Sequence, residues 1–369
     1  MYQHQKQFSG NLHALRGLAA LSVIFYHTHL MNPPIPVGSL TLMNSLGMGV
    51  TLFFILSGFS LSLSNFDKMD SKDWMRSYVI KRIARIVPIW YTFVLITIVY
   101  HYFAYNVVFG ESIILNNLTF TFPFIPGRNE SIVWAGWTVG VEMMFYAVFP
   151  IFLLTLRDNI KGWLLVSIVT LAISVSMRPF IGTLFDNSYV GLGFPRRAFI
   201  FFWGCTFYFI TRKAVKEGWE TKWGWAMGAV ALCTLTIMTL SKEGIINIHY
   251  YWTVPLRALL MGTLTVFFYI APKIGKREIF NLYNRFTKFL GDKSYTIYLT
   301  HPVVINHTRH YYKPLKEAVP NTELAYLIYT LLTILVVFVI ATILSTVIEE
   351  PLYKRGRALA AKGLVKTKA

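Results

Sequence analysis

Apolar residues run through this chain in long blocks separated by short polar connections. Ten blocks, near 12–31, 46–65, 86–108, 137–156, 162–181, 196–211, 224–241, 254–272, 289–306 and 324–347, approach the ~20 residues a helix needs to cross a bilayer. The sixth is short, and the Gly- and aromatic-rich stretch 182–194 reads as a loop or a re-entrant piece. The longest hydrophilic pieces are 66–85, 110–136 and the segment after 348, so no large soluble domain is expected. The pattern predicts an all-α, polytopic membrane protein of about ten transmembrane helices. Residues 1–353 form the transmembrane domain and 354–369 a basic tail. The first block lacks a small-residue cleavage pattern and reads as a retained span rather than a signal peptide.

Composition agrees with this class: 55% of residues are hydrophobic and 14% charged, against roughly 25% charged in a soluble domain. The net charge of +18 could point to nucleic acid, but the basic residues sit in the connections. With the N-terminus in the cytoplasm, the segments 66–85, 157–161, 212–223, 273–288 and the C-terminal tail collect most of the 35 Lys and Arg. By the positive-inside rule both termini are then cytoplasmic, and no nucleic-acid partner is implied. Cys205 and Cys233 fall within apolar blocks without metal-ligand spacing, so neither a disulfide framework nor a metal site is expected.

Ionisable residues inside the apolar blocks are costly unless they face the bundle interior, and they are candidates for function. Arg16 and His27 lie eleven residues apart on the first block, nearly three whole turns, and so project from one face. His27 lies ~16 Å further along the axis, towards the outer half, while Arg16 sits at the inner face. A structural His bonded to a neighbouring helix is the plainer reading of this stretch alone. Gly47, Gly49 and the Ser57-Gly58 pair on the second block suit close helix approach. Arg82 and Arg85, at the end of the loop before the third block, share a face and form a fork suited to phosphate, or anchor the helix at the interface. On the fourth block, after Trp134 and Trp137, Glu142 is a lone carboxylate that could meet His27 or serve as structural partner to Arg196 or Arg197. Ser294, Tyr298 and His301 form one polar stripe on the ninth block, with His301 level with His27, and Pro302 marks a kink or exit. Glu349 and Glu350 read as an ion-paired cap.

Six segments occur together in order: LRGLAALSVIFYH, GMGVTLFFILSGF, RIARIVPIWY, WTVGVEMMFY, LGDKSYTIYLTH and IEEPLY. This set resembles the acyltransferase 3 family, the integral-membrane bacterial O-acyltransferases of cell-surface sugars, over almost the whole chain. The resemblance implies acyl transfer from acetyl-CoA, with His27 as catalytic base or acyl relay and Arg16 as a donor-side or structural partner. It implies that Arg82 and Arg85 match a basic group at the CoA phosphates and that Glu142 matches the family's acid. Trp137, Ser294, Tyr298 and His301 become substrate or structural support. The chain departs from the family pattern at Thr51, Thr138 and Met143, which removes two carboxylates and a serine from the usual motifs. Many members carry a C-terminal extracytoplasmic SGNH-type domain, which is not expected here.

The expected function is O-acyl transfer, acetyl by default, across a bacterial inner membrane. The donor is acyl-CoA from the cytoplasm and the acceptor a lipid-linked or surface glycan. Either Glu142 or His301 would orient the imidazole. Two alternatives stand beside it: a multi-span transporter or flippase of a lipid-linked sugar or small anionic solute, and a sensor or assembly subunit whose His and Arg only join helices.

Overall fold

The computed structural model describes residues 2–31, 45–177, 191–271 and 280–365. Among the described residues the chain is helical and has no strand. This is the outcome a bilayer imposes, because only a helix satisfies every backbone polar group within one apolar segment. The helices are α1 (Tyr2–Met31), α2 (Gly49–Asn65), α3 (Trp74–Tyr105), α4 (Glu111–Leu118), α5 (Trp137–Leu156), α6 (Ile160–Ser176), α7 (Phe194–Lys216), α8 (Glu220–Lys242), α9 (Thr253–Ile270), α10 (Arg285–Thr308), α11 (Tyr312–Ala318), α12 (Thr322–Leu344) and α13 (Glu350–Val365). Among the described residues, six helical runs are long and apolar enough to cross a membrane: Leu46–Lys68, Trp74–Tyr105, Trp137–Leu156, Glu220–Lys242, Thr253–Ile270 and Thr322–Ala361. The other long helices, α1, α7 and α10, are diluted by polar and charged side chains.

Several boundaries differ from expectation. The Lys81–Arg85 stretch is helix rather than loop, because α3 starts at Trp74, where Trp74, Ser77 and Tyr78 are buried, and runs unbroken through Pro88. The sixth block is a full helix, Phe194–Lys216, opened by Pro195 in its first turn. The stretch 182–190 lies outside the described residues, and 191–193 leads directly into α7. Pro302 is not an exit, since α10 continues to Thr308. The basic tail after 353 is part of α13, which packs on α3: a Cβ on Gly356 would strike Ala84, and Ala360 is buried.

Glycines set the closest approaches. A Cβ on Gly17 of α1 would lie 2.5 Å from Leu290 Cβ on α10, and one on Gly291 would lie 2.5 Å from the His13 carbonyl oxygen. Since Gly17 meets Leu290 while His27 meets His301, α1 and α10 run parallel and in register. On α2, Gly49 abuts Ala19 and Ser22 of α1, and Gly58 lies against the Phe201 carbonyl of α7. Phe54, Phe145 and Phe201 stack between α2, α5 and α7 at centroid separations of 4.5 and 4.4 Å. These contacts place His27, the start of α5 and the start of α7 at one end of the bundle, and Arg16 towards the other.

Asn11 ties the entry of α1 to the α9–α10 connection. It is 1% exposed, donates to the Phe268 and Phe280 carbonyls at 2.8 and 3.2 Å, and accepts from the Leu282 amide at 2.8 Å. Asn11→Ala strands these groups and is expected to cost about 2 kcal/mol. The check is the thermal midpoint in detergent; an unshifted midpoint removes Asn11 from the account of stability.

Candidate active site

α1 and α10 bring His27 and His301 together. His27 Nδ1 and His301 Nε2 are 3.0 Å apart, and the rings stack at 5.0 Å. His301 is fully buried, and its Nδ1 has no hydrogen-bond partner. Across this contact one ring nitrogen donates and the other accepts; where His27 Nδ1 is the donor, its Nε2 keeps a free lone pair. Trp134 and Tyr26 present ring edges to His27 at 5.3 and 5.0 Å.

Trp134 reaches His27 because the chain before α5 dips into the bundle. Ser131 and Ala135 adopt positive φ, 73° and 61°, conformations that side chains rarely take and that cluster at functional sites. The dip is anchored by Asn117, whose Oδ1 accepts from the Ser131 hydroxyl at 2.7 Å and the Ile132 amide at 3.2 Å. The Ala135 carbonyl accepts from the Tyr298 hydroxyl at 3.1 Å, and the Thr138 hydroxyl donates to Tyr298 Oη at 2.9 Å. The first turn of α5 therefore sits at the depth of Tyr298, one turn from His301.

That depth explains where Glu142 lies. Five residues further along α5, it is well below His27 and does not pair with it. Ser57 Oγ donates to Glu142 Oε1 at 2.5 Å, and the Tyr146 hydroxyl donates to the same oxygen. Nor does Glu142 serve Arg196 or Arg197: Arg196 donates to the Ser174 carbonyl, and Arg197 lies over Trp137 with its guanidinium carbon 5.3 Å from the ring centroid. Trp137 thus faces Arg197 and Phe54, and Trp134 is the residue against His27.

Arg16, Arg85, Thr138, Glu142, Tyr146, Ser294, Tyr295 and Tyr298 line one narrow cavity of about 50 Å³, room for a few waters. It joins the Arg16 level to Tyr298, whose ring is 5.4 Å from that of His301. Arg82 lies beside it with its guanidinium carbon 5.6 Å over the Tyr146 ring, and its Nε is buried without a hydrogen-bond partner. Three arginines, Arg16, Arg82 and Arg85, thus share the field of two carboxylates, Glu142 and Glu349. Glu349, turned inward by the π-helical turn Ser345–Glu349, is buried near Arg85 and accepts from the Thr296 hydroxyl. Glu350 pairs with Lys293 at 3.3 Å. At the His27 end a second cavity, of about 560 Å³, is lined by Thr97, Tyr100, His101, Trp134, Asn306 and His307 among others. Among the described residues no cluster of His, Cys, Asp and Glu could hold a metal ion.

From sequence alone Tyr146 has no role, Trp134 is named only as a neighbour of Glu142, and Glu349 reads as an ion-paired cap, where the structure has it buried near Arg85. Tyr146 is four residues from Glu142, a spacing that places both on one helix face and could have flagged it. Trp134 depends on a backbone dip with no pattern of its own. Glu349 depends on a π turn, which shifts a helix face without a sequence signature.

Residues 9–347 match the family described as the acyltransferase domain. Among curated proteins, the peptidoglycan O-acetyltransferase OatA of Listeria monocytogenes serovar 1/2a is 23% identical over 96% of this chain and 57% of its own length. A candidate acetyltransferase of Acidianus two-tailed virus, ORF330, is 27% identical over 80% of this chain and 83% of its own. A candidate O-acetyltransferase of Staphylococcus aureus (strain COL) is 25% identical over 84% of this chain and 53% of its own. The chain spans little more than half the length of the Listeria and Staphylococcus relatives. No solved structure matches. The family match runs over nearly the whole chain, and the protein belongs to the acyltransferase 3 family.

Proposed function

We propose that the protein is an O-acyltransferase of a bacterial inner membrane, with ten spans and both termini in the cytoplasm. It moves an acetyl group from acetyl-CoA to a hydroxyl of a lipid-linked or surface saccharide. The carrying observation is the His27–His301 pair, set one turn beyond Tyr298, together with the narrow cavity that Tyr298 lines along with Arg16 and Arg85, Arg82 lying beside it over Tyr146. The relatives' names supply O-acetyl transfer, and the Listeria protein's name supplies a glycan acceptor.

The arginine end fits an anionic carrier, because Arg82 Nε is buried with an unused donor and Arg85 opens into the cavity. Arg82 and Arg85 would hold the phosphates of CoA, which when bound supplies the acyl thioester. Arg16 keeps the cavity positive against Glu142, and Ser57 and Tyr146 hold that carboxylate in place. Tyr298, fixed by Thr138 and the Ala135 carbonyl, lines the cavity and has its ring 5.4 Å from that of His301. His27 Nε2 takes the proton of the attacking hydroxyl, and His301 accepts the Nδ1–H bond that keeps the ring in that tautomer. The larger cavity beside Trp134 suits a sugar, with aromatic faces for its C–H surface and Asn306 and the histidines for its hydroxyls.

Arg82→Gln and Arg85→Gln are each expected to raise KM for acetyl-CoA roughly tenfold with little change in kcat, the loss of one charge-assisted contact. An unchanged KM with a lower thermal midpoint would assign the pair to structure instead. The reading as a whole is tested with the full chain in nanodiscs, by following labelled acetyl from acetyl-CoA into supplied cell-envelope glycan. Release of CoA with label in the saccharide supports it. A folded protein that neither binds nor consumes acetyl-CoA in the presence of acceptor overturns it.

A further inference from the structure

The start of α7 carries a second concentration of positive charge. Its first turn holds Arg196 and Arg197 and no acidic residue. Arg196 is 5% exposed and donates to the Ser174 carbonyl. Arg197 lies over Trp137, and its Nε is buried with no hydrogen-bond partner. Among the described residues, the charges it feels are those of Arg196 and Arg257, both cations. Arg257 projects from the first turns of α9, which packs on α7 with Gly262 against Phe207 and Arg257 near Arg197.

The N-terminal ends of both helices add the positive pole of their dipoles to the same region. Arg197, a largely buried guanidinium with an unused donor beside the Arg257 cation and a positive helix end, lacks an anionic partner among the described residues. Buried charges in proteins are paired. The missing partner is an anion. The planar fork of Arg, the helix N-terminus and the neighbouring indole together favour a phosphate ester on an amphiphilic molecule over a small mobile ion.

We propose that Arg197 and Arg257 form a phosphate-binding subsite at the His27 end of the bundle, with Trp137 as its apolar wall. The phosphate comes from one of two sources: the carrier lipid of the saccharide acceptor, or a bilayer phospholipid headgroup. Only the first source rests on the function proposed above. In that case the subsite holds the carrier's phosphate while its sugar reaches the cavity beside Trp134.

The test uses the full chain in detergent micelles and native mass spectrometry with three probes: a long-chain polyprenyl phosphate, the matching neutral polyprenol, and phosphatidylglycerol. The wild type should retain polyprenyl phosphate at least about tenfold more tightly than the polyprenol, the worth of one charge-assisted contact. Arg197→Gln should remove that preference, Arg197→Lys should keep most of it, and Arg257→Gln, at an exposed position, should weaken it without unfolding the protein. Competition by phosphatidylglycerol at equal concentration assigns the site to bilayer headgroups; no competition assigns it to the acceptor's carrier. Equal retention of polyprenyl phosphate and polyprenol by the wild type, or equal retention of polyprenyl phosphate by wild type and a folded Arg197→Gln/Arg257→Gln double variant, overturns the proposal. Because the readout is binding, a failed acetyl-transfer assay leaves it standing, and its failure leaves the transfer reading intact.

Discussion

His27→Ala is expected to lower kcat/KM for acetyl transfer by roughly a thousandfold, within the range for loss of a positioned general base. Folding should be retained, because His27 is only partly buried and beyond His301 it meets the backbone of its own helix at Val23 and the rings of Trp134 and Tyr26. The discriminating comparison is at His301. His301→Gln keeps a side-chain oxygen that can accept from His27 Nδ1–H, whereas His301→Ala leaves that donor unanswered. Activity should therefore fall in the order wild type, His301→Gln, His301→Ala, with His27→Ala lowest. Single-turnover transfer with purified protein measures this series. If His27→Ala retained more than a tenth of wild-type turnover, the scheme with His27 as base would be wrong. If His301→Gln and His301→Ala were equally impaired, His301 would act by packing alone.

Gly58→Val should be the most destabilising single substitution in the core, costing about 3 kcal/mol, at the upper end for overpacking. Its Cβ would collide with the Phe201 carbonyl, a backbone atom with no rotamer to move to, and the same seam is pinched again where Gly204 meets Ile55. The collision also bears on chemistry, because Ser57, the neighbour of Gly58, donates to Glu142. A paired control is Gly110→Ala, where a Cβ would meet nothing within 4 Å. Thermal unfolding in detergent should show a clear fall for the first and none for the second. Equal midpoints would mean that α2 and α7 are free to separate and that the seam does not hold the bundle.

The helices were legible because a bilayer leaves an apolar segment one way to satisfy its backbone. The common level of His27 and His301 was legible too, since axial rise can be counted along two helices that start from the same side. Glu142 was misplaced for a related reason. Counting from the start of α5 works only if α5 starts at the membrane surface, and the turns at Ser131 and Ala135 carry that start inward to the depth of Tyr298. Residues 81–85 looked like loop because positive charge reads as an interface, yet the buried face of Trp74, Ser77 and Tyr78 carries the helix through them. That Arg197 keeps an unused Nε and, among the described residues, only cations near it could not be read at all, because it depends on how side chains from separate helices pack.

The inward turn of residues 131–136 also changes how thick the membrane is for the reaction. The cavity lined by Trp134 lies beside His27, so in the proposed transfer the insulating layer would shrink to the ~16 Å between His27 and Arg16, roughly half the ~30 Å hydrocarbon core. An acetyl group is small and uncharged enough to cross that layer on a thioester arm. A sugar would have to shed the hydration of every hydroxyl, at about 2 kcal/mol or more for each one left unpaired. In the proposed transfer, with the barrier thinned from the acceptor's side, the saccharide would stay wet throughout and the acyl group alone would make the passage.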